Sequence, residues 1–312
     1  MNKKRLTAKD FDQRILELYD HYAHGKITKR EFLKNVGKCT ATGVTALSVF
    51  NSLIPNYAYA EQVSFNDPDI KANYIEYESK NGNGKIKGYF VKPSKANDKT
   101  AAVLVVHENR GLNPYIKDVA RRIAKAGFIA LAPDGLSSLG GYPGNDADGK
   151  TMQSKIDNQK LLNDFFNGFE FLYNHSDTNK KIGSVGFCYG GGVCNALAVA
   201  YPELSASVPF YGSQAKVEDV PRIKAPLLLH YAELDERINK GWPDYEAALK
   251  ANKKNYTAHI YKGCNHGFHN DSTPRYDKIN ADLAWNRTIN FFQKTLSFFS
   301  MLSQHLFDRT EA

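Results

Sequence analysis

The chain has 312 residues and a net charge of +8 at pH 7, with 41 basic against 33 acidic residues. At 42% hydrophobic and 24% charged, its composition is typical of a folded globular protein and excludes a mainly disordered chain. Four cysteines are too few for a disulfide-stapled scaffold. Residues 1–60 hold ten basic and five acidic residues, so the rest of the chain is nearly balanced. We therefore predict that it does not bind nucleic acid.

Residues 26–60 resemble an export signal. A basic stretch precedes a mildly apolar run that ends in Ala58-Tyr59-Ala60, the small-x-small pattern of a signal-peptidase site. Residues 28–34 resemble the twin-arginine motif, with Lys29 in place of the first arginine. The apolar run is too short for a stable membrane span. This pattern predicts a periplasmic protein that is cleaved after Ala60.

An alternative interpretation of residues 1–60 is a retained arm of a cytoplasmic protein. Apolar residues recur at helical spacing over residues 8–23 and predict an amphipathic helix: Phe11, Ile15, Leu18, Tyr19 and Tyr22. An ordinary leader has no use for such a helix. In this alternative it packs on the domain, and residues 39–54 form a second helix.

From residue 73 onward, strand-like and helix-like segments alternate. An antiparallel hairpin is predicted first, over 73–79 and 84–91. Further strands are predicted at 101–107, 128–132, 182–187, 206–211, 226–232 and 256–261, and helices at 114–126, 157–173, 189–201, 242–251 and from about 275. This order predicts an α/β fold, with one eight-stranded, mostly parallel sheet and helices on both faces. We assign residues 61–298 to this domain and 299–312 to a tail.

The segment Gly186-Phe187-Cys188-Tyr189-Gly190 joins a predicted strand to a predicted helix. Gly-x-nucleophile-x-Gly in this context is the nucleophile elbow of α/β-hydrolases. The tight turn requires glycines, and the helix N-terminus favours a thiolate and leaves backbone N–H groups free for an oxyanion. The alternative for Cys188 is an inert buried thiol.

The order of residues after the elbow also fits, because the fold places its nucleophile, acid and histidine in that order. Asp235 follows the strand at 226–232, and His266 follows the strand at 256–261. Loops at the carboxyl ends of parallel strands are where ligands sit in open α/β sheets. We predict that Asp235 orients His266, which serves Cys188 as base. Three rivals for these two roles are open: Glu233, Glu236 and His269.

We predict no metal and no cofactor. The nearest approach to a zinc site is His266-x-x-His269 close to Asp271, and the triad accounts better for this loop.

Four segments together resemble the dienelactone hydrolase family over about residues 65–298. They are GFCYGGG at the elbow, AELDERIN, GCNHGFHND, and HENRG at residues 107–111. The resemblance implies an α/β-hydrolase fold and a triad of Cys188, His266 and Asp235. It also implies that Glu108 helps to generate the thiolate. The oxyanion hole would be the backbone N–H groups of Asn109 and Tyr189.

One departure from the family concerns substrate binding. The family has an arginine four residues past the catalytic histidine, where this chain has Asn270. Arg110, Tyr142 and Arg275 are candidates for substrate binding instead. We predict carboxymethylenebutenolidase-like hydrolysis of a small ester or lactone through an acyl-thioester. The alternatives are a thiol-dependent acyl transferase or peptidase, and a non-catalytic member that binds a small ligand.

The C-terminal helix carries more apolar residues than one buried face needs. They are Phe291, Phe292, Leu296, Phe298, Phe299, Met301, Leu302, Leu306 and Phe307. This excess predicts a homodimer interface. The alternative is a disordered tail after residue 298.

Overall fold

One eight-stranded sheet organises the computed structural model, which describes residues 5–39, 45–96 and 99–296. Its strands are β1 (Ile70–Ser79), β2 (Gly84–Pro93), β3 (Thr100–Val106), β4 (Ile129–Pro133), β5 (Thr178–Phe187), β6 (Ala206–Phe210), β7 (Leu227–Ala232) and β8 (Tyr256–Tyr261). Their spatial order is β1-β2-β4-β3-β5-β6-β7-β8. β1 and β2 form the predicted hairpin, β2 also pairs antiparallel with β4, and all other pairings are parallel. The predicted fold class is confirmed.

Helices cover both faces of the sheet. They are α4 (Pro114–Lys125), α5 (Asp146–Gln153), α6 (Asn158–Asn174), α7 (Tyr189–Ala200), α8 (Glu236–Asn239), α9 (Trp242–Ala251) and α10 (Lys278–Leu296), numbered after three arm helices described below. Apolar side chains of α4 and α10 form one core with the sheet, and those of α6, α7 and α9 form a second core on the opposite face. Burial on both faces explains why β3 is a nearly continuous apolar run after Thr100.

Three helices precede the sheet and form an N-terminal arm: α1 (Gln13–Ala23), α2 (Lys29–Cys39) and α3 (Ala46–Leu53). They enclose a small core of their own, made of Ile15, Leu16, Tyr19, Phe32, Val36, Val49, Phe50 and Leu53. The helix predicted over residues 8–23 starts at Gln13, because the Asp12 side chain caps it by accepting from the backbone N–H of Arg14.

The twin-arginine-like residues lie at the start of α2. Thr28 and Glu31 form a reciprocal capping pair there: the Thr28 N–H donates to the Glu31 carboxylate at 2.7 Å, and the Glu31 N–H donates to the Thr28 hydroxyl at 3.2 Å. The spacing Thr-x-x-Glu is therefore that of a helix N-terminus in this structure. Export stays a prediction, but these residues have a structural role of their own.

The arm is joined to the domain by polar contacts. Gln13 donates through its side chain to the amide oxygen of Asn265 at 2.8 Å, and Asn109 donates through its side chain to the carbonyl of Ala23 at 2.9 Å. The ammonium of Lys150, on α5, binds the carbonyl of Tyr22. Asn109 and Asn265 lie in the loops that follow β3 and β8, so the arm lies over the ends of these parallel strands.

The C-terminal helix α10 uses part of its apolar surface inside the domain. Phe292 and Leu296 are buried in the core shared with α4, so they are not free to form a dimer interface. The apolar residues predicted beyond them, from Phe298 onward, lie outside the described residues. Among the described helices, none is both long and apolar enough to cross a membrane.

Candidate active site

Cys188 lies on a strained turn between β5 and α7. Its φ of +58° is in the left-handed region, which side chains other than glycine rarely adopt. The turn is closed tightly around it: a Cβ on Gly190 would lie 2.3 Å from the carbonyl oxygen of Val106, and one on Gly186 would lie 2.1 Å from that of Gly190. The backbone N–H of Cys188 donates to Phe210 of β6 at 3.0 Å. This geometry directs the side chain beyond the carboxyl ends of the parallel strands, while backbone packs closely around the turn.

Asp235 and His266 form a buried pair near this thiol. Asp235 follows β7 and caps α8, and His266 follows β8. The Nδ1 of His266 lies 2.5 Å from the Oδ2 of Asp235, and both residues are about 5% exposed or less. The Nε2 of His266 is buried and has no hydrogen-bond partner within the described chain, and a ring nitrogen of His266 lies within 4.8 Å of the Cys188 Sγ. The Nε2 is thus free to accept a proton from a group that enters beside the sulfur.

The rival acids and the rival base make other contacts. The Glu233 carboxylate accepts from the backbone N–H of Gly263 at 2.7 Å, and Glu236 is exposed on α8. The Nδ1 of His269 lies 2.7 Å from the hydroxyl of Tyr115. Burial lowers the pKa of His269 well below its usual range, which favours a neutral structural imidazole.

A histidine that the sequence did not indicate also touches the thiol. The Nε2 of His24, just past the end of α1, lies 3.2 Å from the Cys188 Sγ. Its Nδ1 lies 3.1 Å from the Oδ1 of Asp20, one helical turn earlier. The spacing Asp-x-x-x-His on the amphipathic helix was visible in the sequence, but nothing there showed that the helix packs on the elbow.

The pKa of His24 is raised above its ordinary value of 6.5. Burial by itself lowers this pKa, but the charge of the Cys188 thiolate and the interaction of the imidazole with the Asp20 carboxylate outweigh it. Burial also raises the pKa of Asp20, but the charges and hydrogen bonds of His266, His24 and Arg275 hold it well below its usual range. The acid therefore stays ionised beside the imidazole.

The residues predicted to assist the nucleophile lie around the elbow. Glu108 is buried after β3, and its Oε2 accepts a hydrogen bond from the amide of Asn270 at 2.9 Å. Asn270, which stands where the family has arginine, thus contacts the carboxylate predicted to activate the thiol. Asn109 follows Glu108, and Tyr189 is the first residue of α7.

The predicted substrate-binding residues divide into two groups. Arg110 and Tyr142 both contact Asp146, at 2.7 and 3.0 Å, so their polar atoms already have a partner. Arg275 is buried, and its Nη1 lies 3.7 Å from the Oδ1 of Asp20. Its Nε and Nη1 have no hydrogen-bond partner in the described part of the chain. Arg275 therefore keeps donors available.

A pocket of about 200 Å³ separates α1 from the loops after β7 and β8. It is lined by Leu16 and Asp20 from the arm and by Asp235, Arg237, His266 and Arg275 from the domain. Cys188 itself is 8% exposed beneath His24. The arm thus forms one wall of the pocket beside the candidate triad.

One group in the described chain has a donor set that suits a metal ion: His24, Cys188 and His266, with ligand atoms within 4.8 Å of one another. The guanidinium of Arg237 lies 3.1 Å from the Nε2 of His24 and 3.2 Å from the Nδ1 of His266. A fixed positive charge at that distance opposes a second cation. The arrangement therefore suits proton transfer to and from sulfur better than metal binding.

Comparison with known proteins agrees with this fold. A family model described as "Dienelactone hydrolase family" matches residues 86–296, which is more than half of the chain. The chain belongs to the dienelactone hydrolase family. It is therefore a hydrolase with an α/β-hydrolase fold. A second model, described as "YqhI-like", matches residues 2–38, within the arm.

Individual relatives extend this result. The chain is 66% identical over 114 residues to a "Putative hydrolase fragment YghX" of Escherichia coli (strain K12), which covers 36% of this chain and 97% of the relative. It is 32% identical over 248 residues to a "Putative carboxymethylenebutenolidase" of Saccharolobus solfataricus, covering 67% of this chain and 94% of the relative. A solved structure of a "Putative Dienelactone Hydrolase" from Klebsiella pneumoniae has a TM-score of 0.63 at 23% identity, covering 72% and 99% of the two chains. These comparisons do not support the twin-arginine-like leader, which stays a prediction.

Proposed function

We propose that this hydrolase cleaves a small carboxylic ester or lactone with Cys188 as nucleophile, His266 as base and Asp235 as the acid that orients it. The observation that carries the proposal is the buried His266–Asp235 pair, which has a ring nitrogen within 4.8 Å of the sulfur on the elbow and an Nε2 without a partner among the described residues. Relatives named carboxymethylenebutenolidase support a lactone or ester as the substrate class.

The proposed reaction has two steps. The Cys188 thiolate attacks the carbonyl carbon, the backbone N–H groups of Asn109 and Tyr189 stabilise the oxyanion, and the alkoxide leaves to give an acyl-thioester. His266 then removes a proton from water, which attacks the thioester and expels the thiolate. Asp235 keeps the Nδ1–H of His266 in place, so Nε2 faces the reacting atoms. No cofactor takes part in this scheme.

Glu108 and the substrate-binding residues belong to the same proposal. Glu108 would influence the thiolate as its family counterpart does, with Asn270 holding its carboxylate. Arg275, with unpaired donors beside the pocket, is better suited to contact a substrate than Arg110 or Tyr142, which are engaged with Asp146.

The location and assembly of the protein are predictions. The contacts of the arm with the domain favour a retained arm over cleavage after Ala60, because cleavage would remove α1, α2 and α3 from the pocket wall. Export to the periplasm is the prediction from the leader-like residues, and a cytoplasmic protein is the alternative. A homodimer formed through the residues after Leu296 is likewise a proposal.

A panel of small esters and lactones, assayed on the wild type and on Cys188→Ala, tests the function. We expect turnover of at least one substrate, a burst with p-nitrophenyl acetate, and loss of both in Cys188→Ala or after iodoacetamide. Transfer of the acyl group to added amines in preference to water would indicate the acyl transferase. Absence of a burst together with no labelling of Cys188 would contradict catalysis and favour a ligand-binding member.

A further inference from the structure

The N-terminal arm brings a second acid–imidazole pair onto the nucleophile. The Nε2 of His24 lies 3.2 Å from the Cys188 Sγ, and its Nδ1 lies 3.1 Å from the Oδ1 of Asp20. The Asp235–His266 pair also has a carboxylate beside Nδ1, and a ring nitrogen of His266 lies within 4.8 Å of the Cys188 Sγ. The Nδ1 of His24 differs in one respect, because it also donates to the backbone carbonyl of Asp20 at 2.8 Å. The two imidazole rings meet edge to face, with centroids 4.7 Å apart. Two bases therefore flank one thiol.

We propose that His24 is a catalytic residue which takes the proton of the Cys188 thiol, leaving His266 free to activate water. The proposal rests on the proposed function in one respect, that Cys188 is the nucleophile. The proton moves from Sγ to Nε2 while the electron pair of the S–H bond stays on sulfur. The thiolate then attacks the carbonyl carbon. Asp20 stabilises the imidazolium that results.

The different roles of His24 and His266 follow from what contacts the Nε2 of each ring. The Nε2 of His24 is in contact with the sulfur, whereas the Nε2 of His266 is buried without a partner in the described residues. A base already at the thiol can ionise it before a substrate arrives. A base with a free, buried nitrogen can bind a water molecule that enters after the acyl group has formed.

The position of His24 is held by several bonds from the domain. Asn109 and Lys150 bind the carbonyls of Ala23 and Tyr22, the two residues that precede it. Asp20, which orients the imidazole, is itself bound by the Nε of Arg237 at 3.2 Å. An ordered side chain with an oriented nitrogen is what a proton acceptor requires.

Some of the charged groups that face His24 favour its protonation, and others oppose it. The Nη2 of Arg237 lies 3.1 Å from its Nε2, so this cation opposes the protonation of His24. The ring of His266 lies beside it, edge to face. Asp20 and the Cys188 thiolate favour the protonation. Arg275 acts on it through Asp20, at 3.7 Å. The raised pKa of His24 agrees with a dominant effect of the two anions.

The rate at which iodoacetamide alkylates Cys188 measures this proton transfer without any substrate. The full-length wild type, His24→Gln and His21→Gln are compared from pH 5.5 to 10, with the Cys188 peptide quantified by mass spectrometry. His21→Gln is the matched control, because His21 is an exposed residue one turn earlier on the same helix. Burial raises the pKa of Cys194 and Cys264 to about 12, so these thiols stay protonated near neutral pH.

We expect His24→Gln to slow alkylation at pH 6.5 by about 10²-fold, the lower end of the range for a positioned base, and to react at the wild-type rate near pH 10. His21→Gln should follow the wild type throughout. Alkylation that becomes faster at every pH would show that His24 only shields the thiol. Unchanged rates, or an equal loss at every pH, would equally overturn the proposal.

The same experiment separates this inference from the proposed function. If Cys188 of the wild type is not alkylated at any pH, the nucleophile itself is contradicted. If the wild type reacts and His24→Gln reacts identically, only the role of His24 fails. A second readout is the p-nitrophenyl acetate burst, which His24→Gln should slow, whereas His266→Gln should keep the burst and accumulate the acyl-thioester.

Discussion

The Nδ1 of His266 lies 2.5 Å from the Oδ2 of Asp235, in a buried pair that leaves the opposite nitrogen of the ring free. A carboxylate at this place selects the tautomer in which Nε2 can accept a proton. The pair also determines which of three neighbouring acids can act on the histidine, because Glu233 binds backbone and Glu236 is exposed.

Replacing Asp235 by asparagine should therefore reduce ester hydrolysis strongly. Without the negative charge the imidazolium is less stable and the ring can adopt the wrong tautomer, so we expect kcat to fall about 10²–10⁴-fold. Steady-state kinetics measure the change, with Glu236→Gln as the matched control on the same loop. Melting curves of both variants check α8, which Asp235 also caps. Equal activity of the two variants would contradict the assignment.

The elbow should tolerate alanine at one glycine and reject it at another. A Cβ at Gly190 would lie 2.3 Å from the carbonyl oxygen of Val106, closer than real contacts allow, so β3 or α7 must shift. A Cβ at Gly192 would lie 3.6 Å from Ser213, an ordinary contact. We expect Gly190→Ala to lose burst activity and melt at a lower temperature, and Gly192→Ala to keep both. Similar melting temperatures for the two variants would refute this view of the elbow.

A buried charge network joins α4 to the segment after the arm and to the loop after β8. Asp118 accepts from the backbone N–H groups of Gln62 and Val63 and pairs with Arg122 at 2.5 Å, and Arg122 in turn pairs with Asp271 at 2.6 Å. Removing one partner of a buried pair leaves an uncompensated charge.

We expect Asp118→Ala to reduce the free energy of unfolding by about 3–5 kcal/mol. The control is Asp177→Ala, which removes a half-exposed ion pair with Lys92 and should cost less than about 1 kcal/mol. Urea denaturation at constant pH compares them. A cost for Asp118→Ala no larger than that of the control would show that the network contributes little.

The stabilisation by His24 should depend on pH with a definite sign. Because its pKa in the folded protein is raised above the ordinary 6.5, the charged form is favoured by folding, and its contribution is complete below about pH 6.5. It is lost as the pH rises through the raised value. The difference in melting temperature between the wild type and His24→Gln should thus be larger at pH 6 than at pH 9.5. A difference that grows with pH would contradict the direction of the shift.

Retention of the arm can be tested on the native protein. Since α1 forms a wall of the pocket and carries His24 to the thiol, we expect the intact mass of protein purified from its source to include residues before Ala60. N-terminal sequencing gives an independent reading. A mature chain that begins at Glu61 would establish the export prediction and remove His24 from the reaction.

Local patterns were sufficient to predict the scaffold of this protein. The hairpin, the alternation of strands with helices and the glycines around Cys188 all encode structure within about ten residues of chain, where sterics and periodicity decide the conformation. The order of Cys188, Asp235 and His266 could be predicted for the same reason, because each follows the end of a strand in a fold with a fixed topology.

Tertiary packing decided what surrounds Cys188. His24 and Cys188 are 164 residues apart, and the amphipathic pattern of α1 predicted a buried face without indicating the surface that would cover it. Likewise, the sequence favoured Asp235 but left Glu233 and Glu236 open as rivals, and the contacts of each side chain in space distinguish them. Sequence determined which residues could react, and the folded chain determined which of them meet, because contact between distant segments depends on complementary surfaces that no local pattern contains.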